Sequence, residues 1–288
     1  MKLALGTAQF GLNYGISNTT GMSSFEEARC ILDRAKSKGI DTLDTAAAYG
    51  ESELVLGRIG VADWKVITKV PPLPNGIQDG KEWVLHHIQQ SLSRLQVERL
   101  DGLLLHNAAD LLKVQGRNLA AGLQEAKAVG LVSKVGYSIY SPQPLTELIE
   151  IMLPDIVQAP FNVVDQRLAT SGWLRRLTEI GVEVHVRSVF MQGLLLMGNE
   201  KRPQAFDKWR ELWQRWDTVA GCYGDEALAC CLGFVKTQPF ISRVIVGCQN
   251  QGHLEQLLAV WKKAIPFDAT ELSCEDPLLV EPSNWKLK

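Results

Sequence analysis

The feature that most narrows what this chain can become is its rhythm. Short β-branched or leucine-rich runs alternate with longer stretches whose apolar residues recur at spacings of three and four, from one end of the 288 residues to the other. Such alternation predicts a parallel sheet, because each parallel pairing needs a crossover and a helix supplies it. Strands are expected at Lys2 to Gly6, Ile40 to Thr45, Trp64 to Val70, Leu100 to His106, Ser133 to Ser138, Asp155 to Pro160, Val182 to Ser188 and Arg243 to Gly247. The first helix pairs Ser23 with Glu26 at capping-box spacing, puts Phe25, Ala28, Leu32 and Ala35 on one face, and stops at Gly39. Gly130 and Gly181 close two later helices, Ser141-Pro142 opens one, and Pro203 begins another that carries Trp209, Trp213 and Trp216.

Roughly eight such units in one series fit a closed (β/α)8 TIM barrel. An open doubly wound sheet shares the periodicity, but its dinucleotide-binding form needs G-x-G-x-x-G after the first strand, and Gly6-Thr7-Ala8-Gln9-Phe10-Gly11 lacks it. The barrel is therefore favoured. No linker-like run, charge block or fixed repeat divides the sequence, so one domain over residues 1–288 is expected, with 266–288 as an extension near the barrel mouth. Pro71-Pro72-Leu73-Pro74 predicts a stiff loop after the third strand.

Thirty Lys and Arg against thirty-two Asp and Glu leave a formal charge of −2, so neither nucleic acid nor an anionic membrane is an expected partner. The apolar runs fall short of the roughly 18 residues that cross a bilayer, and Met1 to Gly6 lacks the core of a secretory signal, so a cytoplasmic location is expected. The six cysteines include no C-x-x-C pair and read as reduced packing residues.

A barrel carries its chemistry where its strands end. Asp44 ends the second strand and Tyr49 follows it; Lys69 lies near the end of the third, and His106 ends the fourth. A lysine inside an apolar strand costs several kcal/mol, on the order of 3–5, unless an anion compensates it, and Asp44 is the neighbouring candidate. Each residue alone is compatible with a structural ion pair. Together they make a general acid, since an ammonium beside a phenol favours phenolate. That acid suits protonation of a carbonyl oxygen while hydride reaches its carbon, and no side chain supplies hydride, so a nicotinamide cofactor is implied. No metal is needed: His86 and His87 are adjacent and cannot share a helical face as ligands, and no G-x-S-x-G elbow points to a hydrolase. His185 reads as a hydrogen-bonded barrel residue and Lys262-Lys263 as a solvated helix end.

At Leu5-Gly6-Thr7, Asp41-Thr42-Leu43-Asp44-Thr45-Ala46-Ala47-Ala48-Tyr49-Gly50, Ile67-Thr68-Lys69, Leu104-Leu105-His106-Asn107 and Val135-Gly136-Tyr137-Ser138 the sequence resembles an aldo-keto reductase, over nearly the whole chain. The resemblance implies Tyr49 as proton donor, Lys69 as the group that lowers its pKa, Asp44 as the lysine's holder and His106 as the residue orienting the carbonyl. It implies Gly6 and Thr7 at the cofactor, Ser138 and Gln158 on the carboxamide, with Ile139 where many members have asparagine, and Arg187 where many stack an aromatic ring on the nicotinamide. Ser188, Gly193 and Leu194 then approach the pyrophosphate, and Gly247, Gln249, Asn250, His253 and Gln256 form the phosphate-binding turn and helix start. Gly247 and His253 replace the usual basic residues and Leu257 an adenine-contacting asparagine. Family precedent favours NADP(H), with NAD(H) as the alternative.

The expected substrate is a small-molecule aldehyde or ketone. Phe10, Tyr14, Asn107, Tyr140 and Trp285 are the candidate pocket residues, a mixed aromatic and polar set suited to a sugar-like carbonyl. Two other readings use the same residues: a non-enzymatic dinucleotide-binding module that reports redox state, and a lyase with Lys69 as Schiff-base nucleophile.

Overall fold

A computed structural model describes residues 2–221 and 225–287. Eight parallel strands, β1 (Lys2–Gly6), β2 (Thr42–Asp44), β3 (Lys65–Val70), β4 (Leu100–Leu105), β5 (Val132–Ser138), β6 (Ile156–Pro160), β7 (Glu183–Arg187) and β8 (Arg243–Gly247), pair in sequence order, and β8 returns to β1 to close the barrel. Every expected strand is present, several trimmed by one or two residues. The helices are α1 (Phe25–Ser37), α2 (Ser52–Ile59), α3 (Gly80–Leu95), α4 (Gly116–Ala128), α5 (Leu145–Ile151), α6 (Arg167–Thr170), α7 (Trp173–Glu179), α8 (Arg210–Val219), α9 (Asp225–Lys236), α10 (Gln251–Lys263) and α11 (Pro277–Val280). Among the described residues no helix is long and apolar enough to cross a membrane.

The end of α1 falls where expected, with Gly39 at φ +81° beyond it, but its cap is shifted by one residue. Ser24, not Ser23, accepts a hydrogen bond from the Glu27 amide, at 3.2 Å. Ser23 instead donates its hydroxyl to the Gln249 carbonyl at 2.7 Å, tying the loop before α1 to the turn after β8. The tryptophan-rich segment starts after Pro203 as a 3-10 turn, Gln204–Trp209, and becomes α8 only at Arg210. Trp213 and Trp216 are buried and donate their indole N–H groups to the Phe206 and Leu195 carbonyls, at 2.9 and 3.1 Å, so they are packing residues. Cys222 lies outside the described residues; the other five cysteines are free thiols.

Strand register sets the site. Gly6 pairs with both Asp44 and Gly247, Asp44 with Ile67, Lys69 with Leu104, Ser138 with Gln158, and Pro160 with Arg187. Side chains alternate along a strand, and paired neighbours point to the same face. Gly6, Asp44, Lys69, Ser138, Gln158, Arg187 and Gly247 therefore share the inner face near the strands' C-terminal ends, above a small apolar floor of Ile67, Leu104 and Ile156. The main core lies outside the barrel, between strands and helices, and takes in Leu43, Val66, Leu103, Tyr137 and Val157.

The chain after α10 packs on the segment following β6, which in turn reaches the segment following β5. The Cys274 amide donates to the Val164 carbonyl at 2.9 Å, and Gln166 donates to the Ala269 carbonyl at 2.7 Å. Arg167 bridges Glu281 at 3.0 Å and the Tyr140 carbonyl at 2.8 Å.

At Gly136 a Cβ would stand 1.8 Å from the Ile156 carbonyl oxygen, so β5 and β6 touch without room for a side chain. Gly136→Ala is expected to lower the urea midpoint by the equivalent of about 3 kcal/mol; an unchanged midpoint would show that the two strands adjust freely.

Candidate active site

Lys69 is 1% exposed and its ammonium has three partners: Asp44 Oδ1 at 2.7 Å, the Thr45 carbonyl at 2.9 Å and the Tyr49 hydroxyl oxygen at 3.5 Å. All three donors are used. Burial alone would pull the ammonium down, but the Asp44 carboxylate and the Tyr49 oxygen outweigh it and raise Lys69 above the usual lysine value. Asp44 is buried and held in turn: Gln158 Nε2 donates to its Oδ2 at 2.6 Å, and its carbonyl accepts from the Thr7 amide at 3.0 Å and hydroxyl at 3.1 Å.

Because Lys69 donates to the Tyr49 oxygen, the phenol's own hydrogen is free to point elsewhere. The His106 ring meets the Tyr49 ring edge-on, with centroids 5.7 Å apart. Burial, aided by the charges of Lys69 and Arg187, pulls His106 down to about 3, so its imidazole is neutral.

A cavity of about 390 Å³ opens beside Tyr49 and runs past β7 and β8 to the first turn of α10. Of the expected residues, Gly6, Thr7, Tyr14, Asp44, Tyr49, Arg187, Ser188, Gly193, Gly247, Gln249, His253 and Gln256 line it. Lys69, His106 and Gln158 stand directly behind that lining, through the contacts above. Ser138 is buried at the end of β5, paired with Gln158. Asn250 caps α10, accepting from the His253 amide at 2.8 Å. Tyr140 lies under the Arg187 guanidinium, 4.7 Å from carbon to ring centre.

Four expected residues face away. Phe10 and Leu194 are buried in the main core, each within a 3-10 turn, Ala8–Phe10 and Met191–Leu196. Asn107 caps the 3-10 turn Ala108–Leu112, accepting from the Ala109 amide, and bonds Asp110. Trp285 packs edge-on against Phe206 and donates to the Leu279 carbonyl at 2.8 Å. None of the four lines the cavity.

Other lining residues were not expected from the sequence. Gly15, Ser17 and Asn18 close over the cavity against Gln192 and Gly193, with the Ile16 amide donating to the Gln192 carbonyl at 3.0 Å. Gly193, at φ +94°, has no room for a Cβ, which would stand 2.0 Å from Ser17 Oγ. The glycines hint at close approach, but only the fold shows what approaches. Gln9 is another: a Cβ on Gly247 would stand 2.7 Å from its amide oxygen, so the end of the glutamine rests where a side chain at position 247 would begin.

The aldo/keto reductase family model matches residues 2–274. The chain belongs to that family. Aldo-keto reductase str7 of Strobilurus tenacellus is 27% identical over 226 residues, 71% of this chain, which spans 61% of that relative's length. Aldo-keto reductase AKR11C1 from Bacillus halodurans, in its holo form, superimposes with a TM-score of 0.73 at 20% identity, over 94% of this chain and 89% of that one. The glycerol dehydrogenase AKR11B4 from Gluconobacter oxydans gives 0.69 at 20% identity, over 90% and 86%. Both superpositions show a fold shared with this chain.

Two outcomes are expected. Asp44→Asn leaves the Lys69 charge buried without its anion, and a loss of about 3–5 kcal/mol should appear in denaturant titrations. The second concerns acid. His106 has its folded value lowered from the ordinary 6.5 to about 3, so between those values the unfolded chain binds a proton that the folded chain does not. Stability attributable to His106 is complete above the unfolded value and is lost as pH falls toward 3, by at most about 1.4 kcal/mol per pH unit. Unfolding free energies at pH 7 and pH 4.5 should differ less in His106→Gln than in the native protein; equal differences would refute the assignment.

Proposed function

We propose that this chain is an oxidoreductase that reduces an aldehyde or ketone to an alcohol, or runs the reverse, with a nicotinamide dinucleotide as hydride source and Tyr49 as general acid. The observation that carries this reading is the bonded chain Asp44–Lys69–Tyr49 at the cavity edge. The Tyr49 hydroxyl gives its proton to the carbonyl oxygen, and the Lys69 ammonium stabilises the phenolate left behind. Asp44 and the Thr45 carbonyl keep that ammonium aimed at the phenol oxygen. Neutral His106 offers one N–H to the same carbonyl oxygen and, staying neutral, does not compete for the proton. In the oxidative direction the phenolate takes the alcohol proton.

A dinucleotide suits the cavity's extent, with Arg187 and Ser188 near the acid, Gly193 and Ser17 along the middle, and Gln249, His253 and Gln256 at α10. The bound cofactor supplies hydride. Family precedent keeps NADP(H) ahead of NAD(H). Tyr14 and Tyr140 remain the aromatic candidates for the substrate side; without Asn107 the argument for a sugar-like carbonyl rests on their hydroxyls alone. Against a Schiff-base role, Lys69 is held as an ammonium by a buried carboxylate.

Tyr49→Phe is expected to lower carbonyl turnover at least a hundredfold while leaving dinucleotide affinity within about threefold. Full turnover in that variant would remove Tyr49 from the mechanism. A protein that binds dinucleotide but turns over no carbonyl in its native form would instead be a redox-reporting module.

A further inference from the structure

Arg187 ends β7 on the barrel's inner face and lines the same cavity as Tyr49. Its guanidinium donates to the Ile139 carbonyl at 3.1 Å and to the Ser188 hydroxyl at 3.2 Å, and lies over the Tyr140 ring. All three partners are uncharged. Among the described residues no carboxylate stands within ion-pair distance of it, in contrast to Lys69, which has Asp44, and Arg167, which has Asp165 and Glu281. The nearest anions are engaged elsewhere, Asp165, which feels the Arg187 charge, with Arg167 and Asp44 with Lys69, so Arg187 is the cation of this cavity without an ion pair of its own.

That charge reaches the reaction centre from two sides. His106 sits edge-on to Tyr49, Tyr14 shares the cavity with it, and Arg187 acts on the protonation of both. A hydride donor reacting with a carbonyl held at the Tyr49 hydroxyl has to lie close to Tyr49, within the same field. When hydride leaves a dihydronicotinamide with its electron pair and bonds to the carbonyl carbon, the ring changes from neutral to a charge of +1, while the proton reaching oxygen comes from Tyr49. The two redox forms thus differ by one positive charge at the place where Arg187 already supplies one.

We infer, on the basis of the function proposed above, that Arg187 is a redox-state discriminator: it makes the site bind the reduced, uncharged nicotinamide more tightly than the oxidised, cationic one. The arrangement favours carbonyl reduction over alcohol oxidation and speeds departure of the spent cofactor. Two unit charges several ångströms apart in a partly hydrated cavity repel enough to change affinity by on the order of tenfold.

The test is equilibrium binding followed by tryptophan fluorescence, comparing NADPH with NADP+ and NADH with NAD+, so that within each pair the adenosine end is identical. The native protein is expected to bind the reduced member about tenfold more tightly. Arg187→Met, close in length but neutral, should bring the ratio to within about twofold of unity, and Arg187→Lys should retain most of the preference. Equal affinity of the native protein for both members, or a preference that survives in Arg187→Met, overturns the inference. Failure of all four nucleotides to bind the native protein would overturn the proposed function itself, a result distinct from binding without discrimination.

Discussion

A charged ammonium enclosed in the barrel is the constraint around which the upper half of this molecule is arranged. Lys69 is sealed from solvent, and a buried charge is tolerated only when its donors are all met. Asp44, the Thr45 carbonyl and Tyr49 meet them, and each acquires a fixed place as a result. The requirement propagates outward. Asp44 takes a second bond from Gln158, and its carbonyl anchors Thr7, whose hydroxyl also accepts from Ser52 at 2.9 Å. A network that reaches from β6 to the start of α2 thus converges on one nitrogen, and the Tyr49 phenol is positioned by the same bonds that make the buried charge bearable.

Much of this was legible in the sequence because barrel geometry reduces to parity. Once eight strands are recognised and their pairing is in order, side-chain alternation decides which residues face inward. Asp44, Lys69 and Arg187 follow from that rule, and His106 continues the phase of Leu104. The strand ends and the polar residues on them could be read because their apolar neighbours define the register. The one-residue error in the α1 cap has a local cause: Ser23 and Ser24 are adjacent and equally suited to capping, and the contact that takes Ser23 away comes from Gln249, far along the chain.

What escaped the sequence has the same character throughout. The approach of Ser17 to Gly193 and of Gln9 to Gly247 joins loops from opposite ends of the chain, and no periodicity encodes such a meeting. The substrate-side residues were equally hard to read. Asn107 spends its side chain on capping a 3-10 turn, and Trp285 on packing against Phe206; polar or aromatic type alone does not distinguish a pocket residue from a structural one.

The closeness of Gln9 to Gly247 also bears on how this cavity can change by descent. A side chain installed at position 247 would begin where the Gln9 amide now rests, so the flexible end of the glutamine would have to turn away as it arrived. The two positions are therefore coupled, and a change at 247 carries with it a new resting place for a side chain from the opposite end of the sequence.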